Sequence, residues 1–158
     1  MDSIQTTVRE KGMTEAMIEV LDQRLLDWGI APQTEGSAGF DMRACIDKEL
    51  ILHPGETVLV GLGLKVKPPE GYVSILVPRS GLGYKHGIVL RNTIGIIDPD
   101  YRDELKAALH NSADYPYRVQ PMDRICQLLF IAYTIPNLTF GRLDETNRTG
   151  GFNSTGVK

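Results

Sequence analysis

From Ser37 onward the chain reads as short apolar runs separated by clusters of turn-forming residues. Ala38-Gly39-Phe40-Asp41-Met42-Arg43-Ala44 begins one strand, His53-Pro54-Gly55-Glu56 is a turn, and Thr57 to Val66 is a long apolar strand punctuated by glycines. Pro68-Pro69-Glu70-Gly71 is a second turn, followed by a strand from Tyr72 to Val77. Gln120-Pro121-Met122-Asp123 turns into the apolar run Ile125 to Ile135. Strands at this spacing, with proline and glycine turns between them, predict an all-β barrel or sandwich.

The two ends are different. Residues 1–13 are polar without a period and read as a loose extension. Thr14 to Trp28 admits two readings: a short helix capped by Thr14 with Leu21, Leu25 and Trp28 on one face, or a strand from Met17 to Leu21 followed by a loop. Asn147 to Gly156 holds too few apolar residues to bury itself.

Between Ile88 and Leu109 two β-prone runs flank a polar centre with an Asp98-Pro99-Asp100-Tyr101 corner. Pro99 fixes its own φ, lacks an amide donor and pushes Asp98 toward extended geometry. The corner is therefore predicted as a tight turn, with the Asp98 carboxylate at the mouth of a hairpin.

Composition narrows the field. A chain of 158 residues, 42% hydrophobic, predicts one domain with a real core. The net charge of -3 and a pI near 5.6 argue against stable nucleic-acid or anionic-membrane binding, because there is no basic excess. With no apolar run of 18 residues, the expectation is a soluble, cytoplasmic protein. Cys45 and Cys126 lie in apolar runs and read as reduced core residues, while His53, His86 and His110 lack zinc-ligand spacing.

Four further stretches carry candidate chemistry. Pro78-Arg79-Ser80-Gly81-Leu82-Gly83 follows a strand and can turn its amides toward one anion, with Arg79 and Ser80 adding donors; the alternative is an ordinary surface turn. The tail places Phe152 among glycines, with Arg148 before it and Ser154 and Thr155 after it, as a lid would; the alternative is a disordered terminus. Gln127 is a lone amide in the apolar strand of Arg124-Ile125-Cys126-Gln127-Leu128, bonding either neighbouring backbone or a ligand. Asp41 is a turn acceptor or an orienter of hydrated magnesium.

Taken in order, A-G-F-D-M-R-A, P-R-S-G-L-G, G-I-I-D-P-D-Y, R-I-C-Q-L and G-G-F-N-S-T-G resemble the motifs of all-β, homotrimeric deoxyuridine triphosphate nucleotidohydrolases, the dUTPases. The resemblance runs from about Met17 to Gly156 and makes Ile18 to Asp22 the first strand. It implies a jelly-roll-like barrel of the β-clip type over residues 14–143 and a flexible glycine-rich lid over 144–158. It also implies hydrolysis of dUTP to dUMP and pyrophosphate, with Mg2+ on the triphosphate and each site shared among three subunits.

The residues transfer by position. Asp98 matches the carboxylate that deprotonates the attacking water, and Tyr101 the ring that leaves no room for a 2′-hydroxyl. Asn92, with backbone of the same hairpin at Ile97, matches the uracil reader. Arg79, Ser80, Gly81 and Gln127 match phosphate contacts, and Asp41 a partner of magnesium through water. Arg148, Ser154 and Thr155 match the γ-phosphate clamp, and Gly151 and Phe152 the cover over the base.

Three departures stand out. Asp103 replaces the glycine usual in Y-R-G-E, the tail motif is one residue shorter between Arg148 and Phe152, and Asp98-Pro99 resembles the related deoxycytidine triphosphate deaminases. The glutamate those deaminases need would fall at Ala108 and their arginine near Tyr84, so neither position can do that work. A nucleotide-sensing regulator on the same fold is the reading from another class.

Overall fold

Alternation of buried and exposed residues builds thirteen short elements in the computed structural model, which describes residues 14–147. The first six are β1 (Met17–Val20), α1 (Arg24–Trp28), β2 (Phe40–Arg43), β3 (Leu50–Leu52), β4 (Thr57–Gly61) and β5 (Leu64–Lys67). Then follow β6 (Tyr72–Pro78), α2 (Ser80–His86), β7 (Ile88–Leu90), β8 (Gly95–Ile97), β9 (Lys106–Asn111), β10 (Tyr117–Val119) and β11 (Arg124–Ala132). All-β architecture is thus as expected, with two short helices added.

Among the described residues every strand pairing is antiparallel. One sheet has the order β2-β11-β6-β8 and another β4-β9-β7, while β1 pairs β5 and β10 pairs β3. Inward side chains of the two larger sheets join a single core: Met42, Leu76 and Leu128 from the first, Val60, Ile88 and Leu109 from the second. Burying each such aliphatic side chain contributes roughly 1.5–3 kcal/mol, which offsets the chain entropy lost on ordering the strands.

Several sequence expectations change. The N-terminal ambiguity resolves as strand β1, followed by helix α1 in place of the expected loop; Leu25 alone of the expected helical face is buried, with Leu21 and Trp28 exposed. The run from Thr57 to Val66 is two strands. Gly63 breaks it at φ +66, and its carbonyl accepts the amides of Leu21 and Asp22, so the chain leaves the β4 sheet and pairs with β1 instead. The last apolar run ends as a strand at Ala132 rather than Ile135. The Arg79–Gly83 stretch is not a glycine turn but the start of α2, held by buried Leu82 and by a left-handed Gly87 whose amide bonds Gly83 O and Leu82 O.

The central stretch is corrected too. Its flanking runs do pair, Leu90 opposite Leu109, but residues 91–105 cross to the other sheet and add β8 beside β6. The Asp98 corner closes as a turn, with Tyr101 N donating to Asp98 O at 3.0 Å, yet it is not at the mouth of a hairpin. Beyond β11, residues 133–147 have no regular structure, and Ile135, Leu138, Phe140 and Leu143 are at least 83% exposed. The N-terminal extension and Arg148, Gly151, Phe152, Ser154 and Thr155 lie outside the described residues.

Candidate active site

Three strands gather one set of site residues. Gln127 on β11 lies directly opposite Asp41 on β2 and Val77 on β6, so Asp41 and Gln127 share a sheet face where β6 ends. Asp41 accepts from Arg79 Nε at 2.9 Å on one oxygen and from Arg124 Nη1 at 3.1 Å on the other. Arg79 Nη1 also reaches Arg124 O at 3.1 Å, and Arg124 donates to the Gln33 amide oxygen. Two guanidiniums are held around one carboxylate whose side chain is only 15% exposed. Partly desolvated, preorganised guanidiniums of this kind suit a phosphate chain.

Gln127 takes the backbone option that the sequence left open. Its Nε2 donates to Pro78 O at 3.0 Å, and its amide oxygen fills the space a side chain at Gly39 would need. Ser80 opens α2 with Arg79 as the extended residue before it. Amides in the first turn of a helix lack an intrahelical partner. Ser80 and Gly81 are exposed, and a Cβ on Gly81 would meet nothing within 4 Å, so the space over this turn is open. A polar hollow of about 190 Å³ beside it is lined by Arg79, Leu82, Tyr117, Asp123, Arg124 and Ile125. Cys126 beneath is no nucleophile: burial, then the Asp41 charge, push its thiol up to about 12.

The second set surrounds Asp98. Thr93 takes a left-handed conformation at φ 65, a strained position for a β-branched residue. The turn it makes leaves Asn92 exposed, with its Nδ2 close over Gly95. Ile97 ends β8, Asp98 is exposed, and Tyr101 is 39% exposed with its hydroxyl donating to Glu104 O at 3.3 Å. Arg102 stiffens the same turn by donating to Pro99 O and Tyr101 O.

These two sets do not meet within one chain. Ile97 pairs with Ser74, which puts Asp98 one step beyond, level with Val73, whereas Arg79 follows the far end of β6. Six residue steps separate Val73 from Arg79, about 20 Å, and four separate it from Val77, the level of Asp41 and Gln127, about 13 Å, at roughly 3.3 Å per residue. Arg124 and Glu104 carry no role in the motifs read from the sequence. The available signals were an arginine placed before an apolar strand and an acid closing the Tyr101 turn. Among the described residues no three His, Cys, Asp or Glu side chains gather to hold a metal ion.

Comparison with known proteins agrees with this architecture. The dUTPase family model matches residues 29–156. A deoxyuridine 5'-triphosphate nucleotidohydrolase of Neisseria meningitidis serogroup C is 46% identical over 147 residues, covering 90% of this chain and 97% of the relative. The enzyme of the same name from Bordetella avium is 43% identical over 149 residues, covering 91% and 99%. Among solved structures, Staphylococcus bacteriophage 80alpha dUTPase with dUPNHPP superposes at TM-score 0.75 and 23% identity, over 92% of this chain and 100% of that one. A dUTPase from phage phi11 of S. aureus, solved with a coordinated structural Mg(II) ion, superposes at 0.72 and 21% identity, over 84% and 99%. This chain belongs to the dUTPase family.

Proposed function

We propose that this protein is a dUTP diphosphatase, hydrolysing dUTP to dUMP and pyrophosphate at sites completed between subunits of a homotrimer. The observation that supports it best is the separation, along β6, of the Asp98 turn from Asp41 at the level of Val77, about 13 Å, and from Arg79 beyond it, about 20 Å, at roughly 3.3 Å per residue. A nucleotide triphosphate cannot satisfy both from one chain in a productive in-line geometry, but two copies can present one set each. The exposed apolar arm 133–147 offers the third contribution by carrying the tail toward a neighbour.

In this reading the Asn92 turn and the Ile97 backbone read the uracil edge. A site built to hydrogen-bond one edge rejects the wrong base by about 10⁴-fold, because its polar groups would be left unpaired. The Tyr101 ring packs under the deoxyribose and excludes a 2′-hydroxyl. Asp98 orients the attacking water and takes its proton as oxygen bonds to the α-phosphorus; the α–β bridging oxygen leaves with pyrophosphate. Arg79, the Ser80 hydroxyl and the amide at Gly81 face the phosphates, with Gln127 bracing Pro78 O behind them, and Arg148, Gly151, Phe152, Ser154 and Thr155 close over the bound nucleotide.

Magnesium fits as an ion carried by the triphosphate. Asp41 has both oxygens engaged by arginines but keeps acceptor capacity on each for a metal-bound water, so an outer-sphere role suits it better than direct ligation. When bound, the ion neutralises charge on the phosphate oxygens. We place the reaction in the cytoplasm, where two free thiols remain reduced.

The test is pyrophosphate release with magnesium, offering dUTP, dCTP, dTTP and UTP separately, with ammonia assayed alongside. Release from dUTP alone without ammonia is the expected result. Ammonia from dCTP would overturn it in favour of deamination, and dUTP binding without turnover would favour a regulator.

A further inference from the structure

The loop that carries Asp98 and Tyr101 is almost all solvent-facing: Asp98, Asp100, Tyr101, Arg102 and Asp103 are exposed, and only Pro99 and Glu104 are partly buried. A loop with so few packed side chains needs a specific anchor to hold a base within the fraction of an ångström that catalysis demands. Glu104 supplies one. Its Oε1 accepts the amide of Gly63 at 3.0 Å, a contact spanning 41 residues of sequence. Immediately after it, Leu105 bonds both sides of the same crossing: Leu62 N donates to Leu105 O and Leu105 N to Leu64 O, each at 2.9 Å.

The crossing is built to receive that carboxylate. A Cβ at Gly61 would lie 2.6 Å from Glu104 Oε1, so any side chain there would push the carboxylate aside. Gly63 adopts φ +66, and a Cβ there would meet Cys45 Sγ at 2.6 Å and Asp22 Cβ at 2.7 Å. That backbone conformation turns its carbonyl to Leu21 N and Asp22 N, leaving its amide for Glu104. On the loop side, the Tyr101 hydroxyl donates to Glu104 O, and Tyr101 N closes the turn onto Asp98 O. One residue thus ties the ring, the carboxylate and the barrel together.

We propose that Glu104 is a positioning residue for the reaction: its bond to the Gly63 amide sets the height of the Tyr101 ring and the Asp98 carboxylate over the substrate. This inference rests on the reading of Asp98 and Tyr101 given above. Its signature is a loss of sugar discrimination along with rate, because the ring that excludes a 2′-hydroxyl shifts with the base.

The experiment measures kcat and KM for dUTP and UTP in the full-length protein carrying E104A, E104Q, E104D or G61A, with Tm recorded for each. E104A is expected to lower kcat on dUTP at least about tenfold and the dUTP-to-UTP selectivity at least about fivefold. E104Q keeps an acceptor oxygen at the same reach and should restore selectivity to within about twofold of the native protein. E104D retains the charge but falls one carbon short, and G61A displaces the carboxylate from the other side; both should resemble E104A, and they decide the matter if E104A does not fold. Unchanged selectivity in E104D and G61A, whatever their Tm, would assign Glu104 a purely structural role and overturn the proposal. So would an E104Q as impaired as E104D, since charge rather than an acceptor would then matter. D98N in parallel separates the two levels: if it still turns over, the reading of the base has failed, and if it is inactive while selectivity survives in E104D and G61A, only the anchoring inference has.

Discussion

Asp98 is a small target with a sharp expectation. Replacing its carboxylate by an amide keeps the shape of the turn, since Tyr101 N bonds the Asp98 main-chain oxygen rather than the side chain. D98N should therefore lose at least about a hundredfold in hydrolysis while dUTP binding, measured by calorimetry, largely survives. Turnover near the native rate would remove Asp98 from the role of base. The two cysteines carry a second expectation. Burial, then the Asp22 charge, raise the Cys45 thiol to about 11, and burial raises Cys126 to about 12, against an ordinary value of 9.0. An unfolded chain ionises these thiols near pH 9 while the native chain keeps both protons, so their contribution to stability is complete below pH 9 and is lost as pH rises toward 11–12. Urea midpoints should fall between pH 9 and pH 11, and iodoacetamide at pH 8 should leave both thiols unmodified in the native protein. Rapid native-state alkylation of Cys126 would contradict that burial.

At the scale of elements, α2 shows how a site loop is held by residues outside it. Gly87 ends the helix at φ 65, and a Cβ there would approach Ala113 N at 2.9 Å and Ser112 Oγ at 3.0 Å, while its own carbonyl accepts both Ser112 N and Ser112 Oγ. G87A combines backbone strain with two close contacts, and should cost about 2 kcal/mol in urea unfolding. A change under about 0.5 kcal/mol would mean the cap does not hold the helix. None of this was visible in Ser80-Gly81-Leu82-Gly83-Tyr84, whose glycines lower helix propensity; the cap and the burial of Leu82 override it. The strands were legible because turn residues mark them: His53 O accepts Glu56 N, Pro69 O accepts Tyr72 N, and Gln120 O accepts Asp123 N, each closing a turn that Pro and Gly announce. The crossing at Gly63 was not, because Leu62 and Leu64 on either side are both buried and the apolar pattern runs through without a gap. Strands β3 and β10 escaped for a related reason: three residues each give too short a pattern, and they are held by pairing across a long sequence separation. The candidate residues could be named from type and order alone. Which sheet end each would occupy depended on long-range register, which no local pattern encodes.

The whole molecule raises the question of what covers the arm. Ile135, Leu138, Phe140 and Leu143 are between 83% and 104% exposed, an arrangement that an isolated chain gains nothing from. Burying four such side chains against neighbours would contribute roughly 6–12 kcal/mol per subunit before ordering costs, at about 1.5–3 kcal/mol each. In the proposed trimer the arm would hold subunits together and the tail beyond it would close the site, two duties that can be separated. Two truncations distinguish them. Ending the chain after Asp144 keeps all four apolar side chains, so light scattering should still report a trimer, while dUTP turnover drops sharply because Arg148, Phe152, Ser154 and Thr155 are gone. Ending it after Ala132 removes the arm as well and should shift the scattering mass toward the monomer at micromolar concentration, with the β2-β11-β6-β8 sheet intact by circular dichroism. Activity would then vanish for a second reason, since the Asp98 turn of one copy would no longer meet the Arg79 cluster of another. An arm-less protein that remained a trimer would move the association to another face of the barrel, leaving the separation along β6 still to be bridged by neighbouring copies but by a different contact.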